Sequence, residues 1–311
     1  MNKLTVVFGS GAVGRPIIEA LAARGDHVRV AQRGTPEGLP AGVERVACDV
    51  LDPAAVMCAV DGAAQVVLAV AFPYDARVWR TAWPLAMANV LAACAASGAR
   101  LVFIDNLYQL GPQSEPRRED MALSDAGEKP AILSAVTRMW LAVGDRVQVA
   151  ALRCPDFYGP GVGHSHLGAF ALGELAKGKP AQLLVPPDTP HDFAYVPDIA
   201  RAAVTLLDAP DDAFGRAWNM PCAPTRSPRD LLAIGAATLG ERLRIWAVPL
   251  WRMRPLGLVY RMAWEVADVC FTWDRPYLVD ADAFTRRFGF VATSFAIGIP
   301  ASAHAFAGKG R

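Results

Sequence analysis

Three glycines near the start of the chain have the spacing to hold a phosphate ester. Leu4-Thr5-Val6-Val7-Phe8 is an apolar, β-branched run that ends directly in Gly9-x-Gly11-x-x-Gly14. An apolar helical spacing follows through Ile17, Ile18, Leu21 and Ala22. Strand, glycine turn and helix, in that order, form a cradle for a dinucleotide diphosphate. Gly9 permits the tight turn, Gly11 lets the backbone approach the phosphates, and Gly14 lets the helix pack closely on the strand. The phosphates then meet free N–H groups at the helix N-terminus. The candidate cofactor-binding residues are therefore Gly9, Ser10, Gly11, Ala12, Val13 and Gly14; the alternative for the same glycines is a purely structural turn. A second strand, Val28-Arg29-Val30-Ala31-Gln32, ends at Arg33. NAD sites place an acid there, about 20 residues after the glycines, to take the ribose 2′-hydroxyl. Arg33 stands in that place, and a guanidinium suits a 2′-phosphate. The expectation is NADP(H) in preference to NAD(H), with a solvated surface arginine as the other reading of Arg33.

The elements that would position such a site alternate along the first half. Strands are predicted at 4–8, 27–32, 43–47, 65–70, 100–104 and 148–153, and helices at 12–24, 53–60, 76–97 and 130–144. That alternation implies a parallel sheet with helices on both faces. Asp52-Pro53 reads as an N-cap followed by proline in the first turn. Residues 106–129 form a long polar loop, a place where function concentrates. Later helices are predicted at 166–177, 197–208, 228–239, 255–268, 281–287 and 295–306, with short strands near 182–185, 193–196, 216–219 and 244–247. The expected domains are 1–160, a dinucleotide-binding domain, and 161–311, mainly a substrate lobe with some segments returning to the core.

Bulk composition narrows the partners. The 311 residues carry a formal charge of +1 and are 53% hydrophobic, which suits a large core and argues against nucleic acid as a partner. Six cysteines, with no CxxC and no metal-ligand spacing, read as reduced thiols, with no metal site. The first apolar run is too short for a signal peptide, and charges interrupt the Trp- and Leu-rich stretch 245–271, so a cytoplasmic protein without membrane insertion is expected.

Beyond the glycines, several segments resemble an extended short-chain dehydrogenase/reductase of the NAD-dependent epimerase/dehydratase type. They are Asp49-x-x-Asp52, Val102-Phe103-Ile104-Asp105-Asn106, Leu152-Arg153-Cys154-Pro155-Asp156-Phe157-Tyr158-Gly159-Pro160 and His191-Asp192-Phe193-Ala194-Tyr195-Val196-Pro197-Asp198. The resemblance implies an α/β, Rossmann-type doubly wound parallel sheet with a smaller mixed C-terminal substrate lobe. It also implies that Asp49 and Val50 lie by the adenine, that Val70 and Ala71 line the cofactor groove, and that a homodimer forms through 76–97 and 130–144. The usual active site of that family is a Ser or Thr after the fifth strand with a Tyr-x-x-x-Lys on the next helix. Here Asn106 takes the Ser/Thr position, and Ser134 and Arg138 take the Tyr and Lys positions. Asn106 retains a hydrogen-bond donor, Arg138 can donate to ribose hydroxyls, and an aliphatic hydroxyl at Ser134 is far less acidic than a phenol. Tyr108, two residues past Asn106, has the right chemistry for a proton donor. Asp105, Asp156, Tyr158 and His164 are further candidates, with structural packing, capping or solvation as their other readings, and His166 is expected at the surface. The implied activity is oxidoreductase or epimerase chemistry on a small, rather apolar carbonyl or alcohol substrate with a non-standard proton donor. The alternatives are a dinucleotide-binding sensor without hydride transfer, and a lyase, isomerase or cyclase reusing the pocket.

Overall fold

Short β-branched runs become strands covered on both faces. In the computed structural model, which describes residues 3–308, β1 (Leu4–Phe8), β2 (His27–Gln32), β3 (Glu44–Ala47), β4 (Gln65–Leu68), β5 (Arg100–Asp105) and β6 (Val149–Arg153) form one sheet. Neighbouring residues Val6 and Val7 point to opposite faces, and both are fully buried, as are Val66 and Val67. Each such valine contributes roughly 1.5–3 kcal/mol by leaving water. Only a sheet flanked by helices buries both faces in this way. The strands β3-β2-β1-β4-β5-β6 lie side by side in that order and pair in parallel, with Val7 opposite both Val30 and Val67. The path runs outward from β1 to β3, then resumes at β4 on the other side. That reversal opens a crevice at the C-terminal ends of β1 and β4, where the glycines lie.

Helices close the sheet. α1 (Gly14–Ala23) buries Ile17, Ile18 and Leu21. α2 (Pro53–Val60) starts at Asp52, whose carboxylate accepts from the N–H groups of Ala54 and Ala55. α3 (Ala76–Ser97) is capped by Asp75, and α4 (Glu128–Ala142) carries Pro130 in its first turn. Trp83 meets Phe72, Trp79 and Phe103 edge-on at 5.0, 6.1 and 5.9 Å between centroids.

Two compact units share the chain. One holds the residues up to Gln109, Leu123–Arg153 and Ile199–Trp218; the other holds Leu110–Ala122, Cys154–Asp198 and the residues from Asn219 on. In the second unit β7 (Phe157–Tyr158) precedes a π-helical turn at Gly168–Leu172 that runs into α5 (Gly173–Leu175). β8 (Ala181–Leu183) and β9 (Ala194–Tyr195) follow, β9 pairing with β7. α6 (Val196–Asp208) leads back to the first unit, where Arg216–Trp218 of β10 (Arg216–Asn219) lie beside β6 as the sheet's last strand. The second unit then continues through α7 (Pro228–Leu239), β11 (Ile245–Ala247, paired with β8), α8 (Met253–Gly257), α9 (Arg261–Asp268), α10 (Asp282–Phe288) and α11 (Phe295–Gly308).

Some boundaries differ from the sequence expectation. The strand predicted over 65–70 stops at Leu68, beyond which Ala69 and Val70 lie close against Gly9. The helix predicted over 255–268 breaks at 258–260 into α8 and α9. A Cβ on Gly257 would stand 2.9 Å from the Trp264 backbone, so the two helices close on one another there. Among the described residues no helix is long and apolar enough to cross a membrane.

Candidate active site

The three glycines of the loop have different surroundings. Gly9 has φ +91°, and a Cβ there would stand 2.9 Å from the Ala69 carbonyl oxygen. A Cβ on Gly14 would stand 2.0 Å from the Gly9 carbonyl oxygen, so this glycine lets α1 start against the strand. Gly11 differs from both. Nothing lies within 4 Å of the place its Cβ would fill, so the protein's own packing does not call for glycine there. An open, exposed glycine between two packed ones fits a ligand that must touch backbone. Val13 caps α1 without a side-chain bond, Arg15 donates its N–H to the Gly11 carbonyl at 3.0 Å, and Ala12 lies exposed beside them. These residues therefore fit a dinucleotide diphosphate.

Gln32, at the end of β2, is the residue tied to this loop. Its Oε1 accepts from the Ser10 N–H at 2.9 Å and from the Ser10 hydroxyl at 2.6 Å, and its Nε2 donates to the Gly34 carbonyl at 3.2 Å. Arg33 is exposed on the turn beyond. Arg15, in the first turn of α1, donates to the carbonyls of Gly38 and Glu37. Asp49 accepts from the Leu51 N–H at 3.0 Å, Val50 is buried, Val70 is half-buried and Ala71 is exposed.

The end of β5 supplies the polar chemistry of the same unit. Asp105 accepts from the Asn106 N–H at 2.8 Å and from Gln109 Nε2 at 2.7 Å, with Arg153 Nε at 3.8 Å. Burial pushes its carboxyl up to about 6, against the opposing pull of Arg153. Asn106 Oδ1 accepts from the Tyr108 N–H at 2.9 Å, so the side-chain oxygen forms the turn while the amide nitrogen keeps its donors. That turn presents Tyr108, half-buried, with its hydroxyl 3.4 Å from the hydroxyl of Tyr74. Ser134 is fully buried, and its hydroxyl donates to the Ser124 carbonyl at 2.8 Å. Arg138, one turn later on α4, is more than half exposed and meets Asp125 at 3.5 Å.

The structure therefore brings Asn106 and Tyr108 together and turns Ser134 toward main chain. It also brings in two side chains that the sequence reading passed over, Tyr74 and Lys129. Lys129 is fully buried in the first turn of α4, with Nζ 4.4 Å from the centre of the Tyr74 ring and 5.8 Å from that of Trp79. One signal was available in advance: Lys129 is the only lysine between Lys3 and Lys177 in a chain that otherwise uses arginine there.

The remaining proton-donor candidates lie in the second unit. Tyr158 is buried against Tyr195 and Phe295, and burial drives its phenol well above the ordinary range. A Cβ on Gly298 would stand 2.5 Å from its hydroxyl, which marks a packed core position. Asp156 Oδ2 lies 2.9 Å from His191 Nε2. Burial opposes its ionisation, but His166 and His191 outweigh that and hold the carboxyl below its usual range. His164 is exposed. The His191 ring is stacked between Trp273 (3.8 Å, 8°) and Tyr277 (4.8 Å, 12°).

Comparison with known proteins gives these features a context. A family model described as the NAD dependent epimerase/dehydratase family matches residues 5–220. A Streptomyces protein, 3-diazoavenalumate denitrifying reductase, is 27% identical over 229 residues, which span 67% of this chain and 72% of that protein. The UDP-glucose 4-epimerase of Thermus thermophilus, solved as a complex with NAD, superimposes with a TM-score of 0.78 at 22% identity, over 98% of this chain and 99% of that one. The UDP-glucuronic acid 4-epimerase of Bacillus cereus, solved with UDP-glucuronic acid and NAD, superimposes with a TM-score of 0.81 at 15% identity, over 97% and 98%. The expectation of NADP(H) is corrected by these neighbours, which hold NAD. The physical reason lies in β2: its last residue is the neutral Gln32, anchored to the loop, and Arg33 falls one position later on an exposed turn.

Proposed function

This chain belongs to the NAD-dependent epimerase/dehydratase family, and from that premise we propose that it is an NAD-dependent oxidoreductase or epimerase in which Tyr108 moves the proton. Its substrate is a small, rather apolar carbonyl compound or the corresponding alcohol. The observation that carries the reading is a phenol pair, Tyr108 after β5 and Tyr74 just before α3, at 3.4 Å and in the same unit as the glycine loop.

Gly11 and the first turn of α1 hold the diphosphate, and one Nε2 hydrogen of Gln32 remains for a ribose hydroxyl once Gly34 has taken the other. Bound there, the nicotinamide supplies or takes up the hydride at the substrate carbon. Asn106 donates an amide hydrogen to the substrate oxygen and so orients it. As that oxygen gains negative charge, the Tyr108 hydroxyl gives it a proton, yielding the alcohol and leaving a phenolate; in the oxidative direction the phenolate takes the proton back. An epimerase needs both directions in succession, and the same hydroxyl serves both.

The test is NADH oxidation against a panel of ketones and aldehydes, with NAD affinity measured alongside by calorimetry. Tyr108→Phe should lower kcat by about 100-fold or more and leave the affinity for NAD within about twofold. Full activity in that variant would remove Tyr108 from the mechanism. A second reading has its own support: Ser134 and Arg138 leave the usual helix positions without a proton-transfer group, which suits a dinucleotide-binding sensor. NAD binding with no turnover across the whole panel would favour it. We extend the first reading to a homodimer through α3 and α4, where Leu85 and Leu141 are exposed; a monomer in sedimentation equilibrium would exclude it.

A further inference from the structure

We infer that Lys129, reaching in from the first turn of α4, is the positioning cation for the Tyr74–Tyr108 hydroxyl pair, so that the charge which favours proton release at Tyr108 comes from beneath Tyr74. This rests on the reading of Tyr108 as the proton-transfer group, and it names a residue outside the Ser134 and Arg138 positions.

Lys129 is fully buried, yet it is an ammonium group. Burying a charge is costly unless the surroundings compensate for it. Part of the compensation is aromatic. The rings of Tyr74 and Trp79 stand at 89° to one another with centroids 5.6 Å apart, and Nζ faces both, at 4.4 and 5.8 Å. The corner they form is held in place, because Trp79 Nε1 donates to the Pro73 carbonyl at 2.9 Å. A cation over a ring face is attracted by the electron density of that ring. A phenolate ring is richer in electrons than a phenol ring. The same cation therefore favours ionisation of Tyr74, or of a phenol whose proton Tyr74 shares. Tyr108 is that phenol, at 3.4 Å between hydroxyl oxygens.

The relay conserves protons. When Tyr108 has given its proton to a substrate oxygen, the Tyr74 hydroxyl donates a hydrogen bond to the phenolate oxygen, and Lys129 stabilises the negative charge spread over the pair. Charged groups next to these residues along the chain include Glu128, which meets Arg80 at 3.0 Å, and Asp75 at the start of α3, which meets Arg77 at 2.6 Å. Asp105 at the end of β5 is held by Gln109 and Arg153. Arg138, the cation that the helix spacing would have chosen, is instead turned to solvent and Asp125.

The test is a spectrophotometric titration of tyrosinate in the full chain without nucleotide, followed by the pH profile of turnover. Wild type should show a tyrosinate step below the ordinary phenol range near 10 that is absent in Tyr108→Phe. Lys129→Met should move that step up by about one pH unit or more, and the limb of the kcat profile that reports it should move with it. Lys129→Arg should restore most of the shift while NAD affinity stays level. If Lys129→Met does not fold, Tyr74→Phe carries the test: it keeps the ring and removes the relay hydroxyl, and should raise the Tyr108 step in the same direction. A Lys129→Met titration that superimposes on wild type overturns the role of Lys129, and a Tyr74→Phe titration that does so overturns the relay. Loss of turnover in Tyr108→Phe together with an unmoved step in Lys129→Met defeats this inference alone. An active Tyr108→Phe defeats the proposed function beneath it.

Discussion

Gly11 and Gly14 carry the same side chain for different reasons, and substitution separates them. Gly14 is glycine because the chain's own carbonyl occupies the space, whereas Gly11 is glycine although the space is open. Gly11→Val should therefore keep the protein folded, with stability within ~0.5 kcal/mol of wild type. Its affinity for NAD should drop about tenfold or more, because the new side chain stands where the diphosphate must approach. Gly14→Ala should instead lose about 1–3 kcal/mol of stability, because α1 must shift off β1 to admit a methyl group. Denaturant melts paired with NAD calorimetry resolve the two, and equal loss of stability in both variants would mean that Gly11 too is fixed by packing. The same distinction explains Gln32. One amide, set between Ser10 and Gly34, fixes the loop and the end of β2 together.

At the level of elements, caps decide where helices begin, and α7 has the most complete one. Ser227 accepts from the Asp230 N–H while the Asp230 carboxylate accepts from the Ser227 N–H, with Pro228 in the first turn. Ser227→Ala should cost roughly 1 kcal/mol, measured as a lower midpoint in urea with an unchanged slope; no change would place the start of α7 under tertiary control. Signals of this kind made much of the fold legible beforehand. Asp52-Pro53 marked α2, and the alternating apolar runs marked all six strands from β1 to β6. The break between α8 and α9 was hidden, because it depends on Gly257 meeting Trp264, a contact between residues that periodicity alone places on one helix. Of the candidate site, glycine spacing marked the turn whose geometry fits a diphosphate, and the family resemblance pointed to Asn106 and Tyr108 after β5. Tyr74 and Lys129 were not found, because they stand on separate elements and meet only when α3 and α4 pack together. No spacing along the chain encodes that encounter.

Across the whole molecule, Asp105 and His166 give their own surroundings opposite responses to mild acid. Burial, only partly offset by Arg153, leaves Asp105 binding its proton more tightly in the native protein than in the unfolded chain. Its contribution is therefore full below about pH 4 and is lost, up to about 3 kcal/mol, as pH climbs through about 6. For His166, burial lowers the affinity for a proton, Asp156 restores part of it, and His191 lowers it again, with a net decrease. Its contribution is full above the ordinary histidine range near 6.5 and drains as pH falls below it. Peptide-resolved hydrogen exchange at roughly pH 5 and pH 7, corrected for intrinsic rates, should find β5 and β6 opening less often in acid and the segment around His166 more often. Asp105→Asn should flatten the first response and leave the second; a uniform change in both units would sink the account. The path of the chain through these units has a consequence in time. Arg216–Trp218 form the strand that covers the edge of β6, and they are made only after the second unit has claimed Cys154–Asp198. On the ribosome the parallel sheet thus waits with an open edge for more than 60 residues of further synthesis, counted from Arg153 to Arg216. An open edge invites pairing with any other nascent strand. Chains released before Arg216 should therefore collect as aggregates in which β6 is protected from exchange, while chains released after Trp218 should stay dispersed.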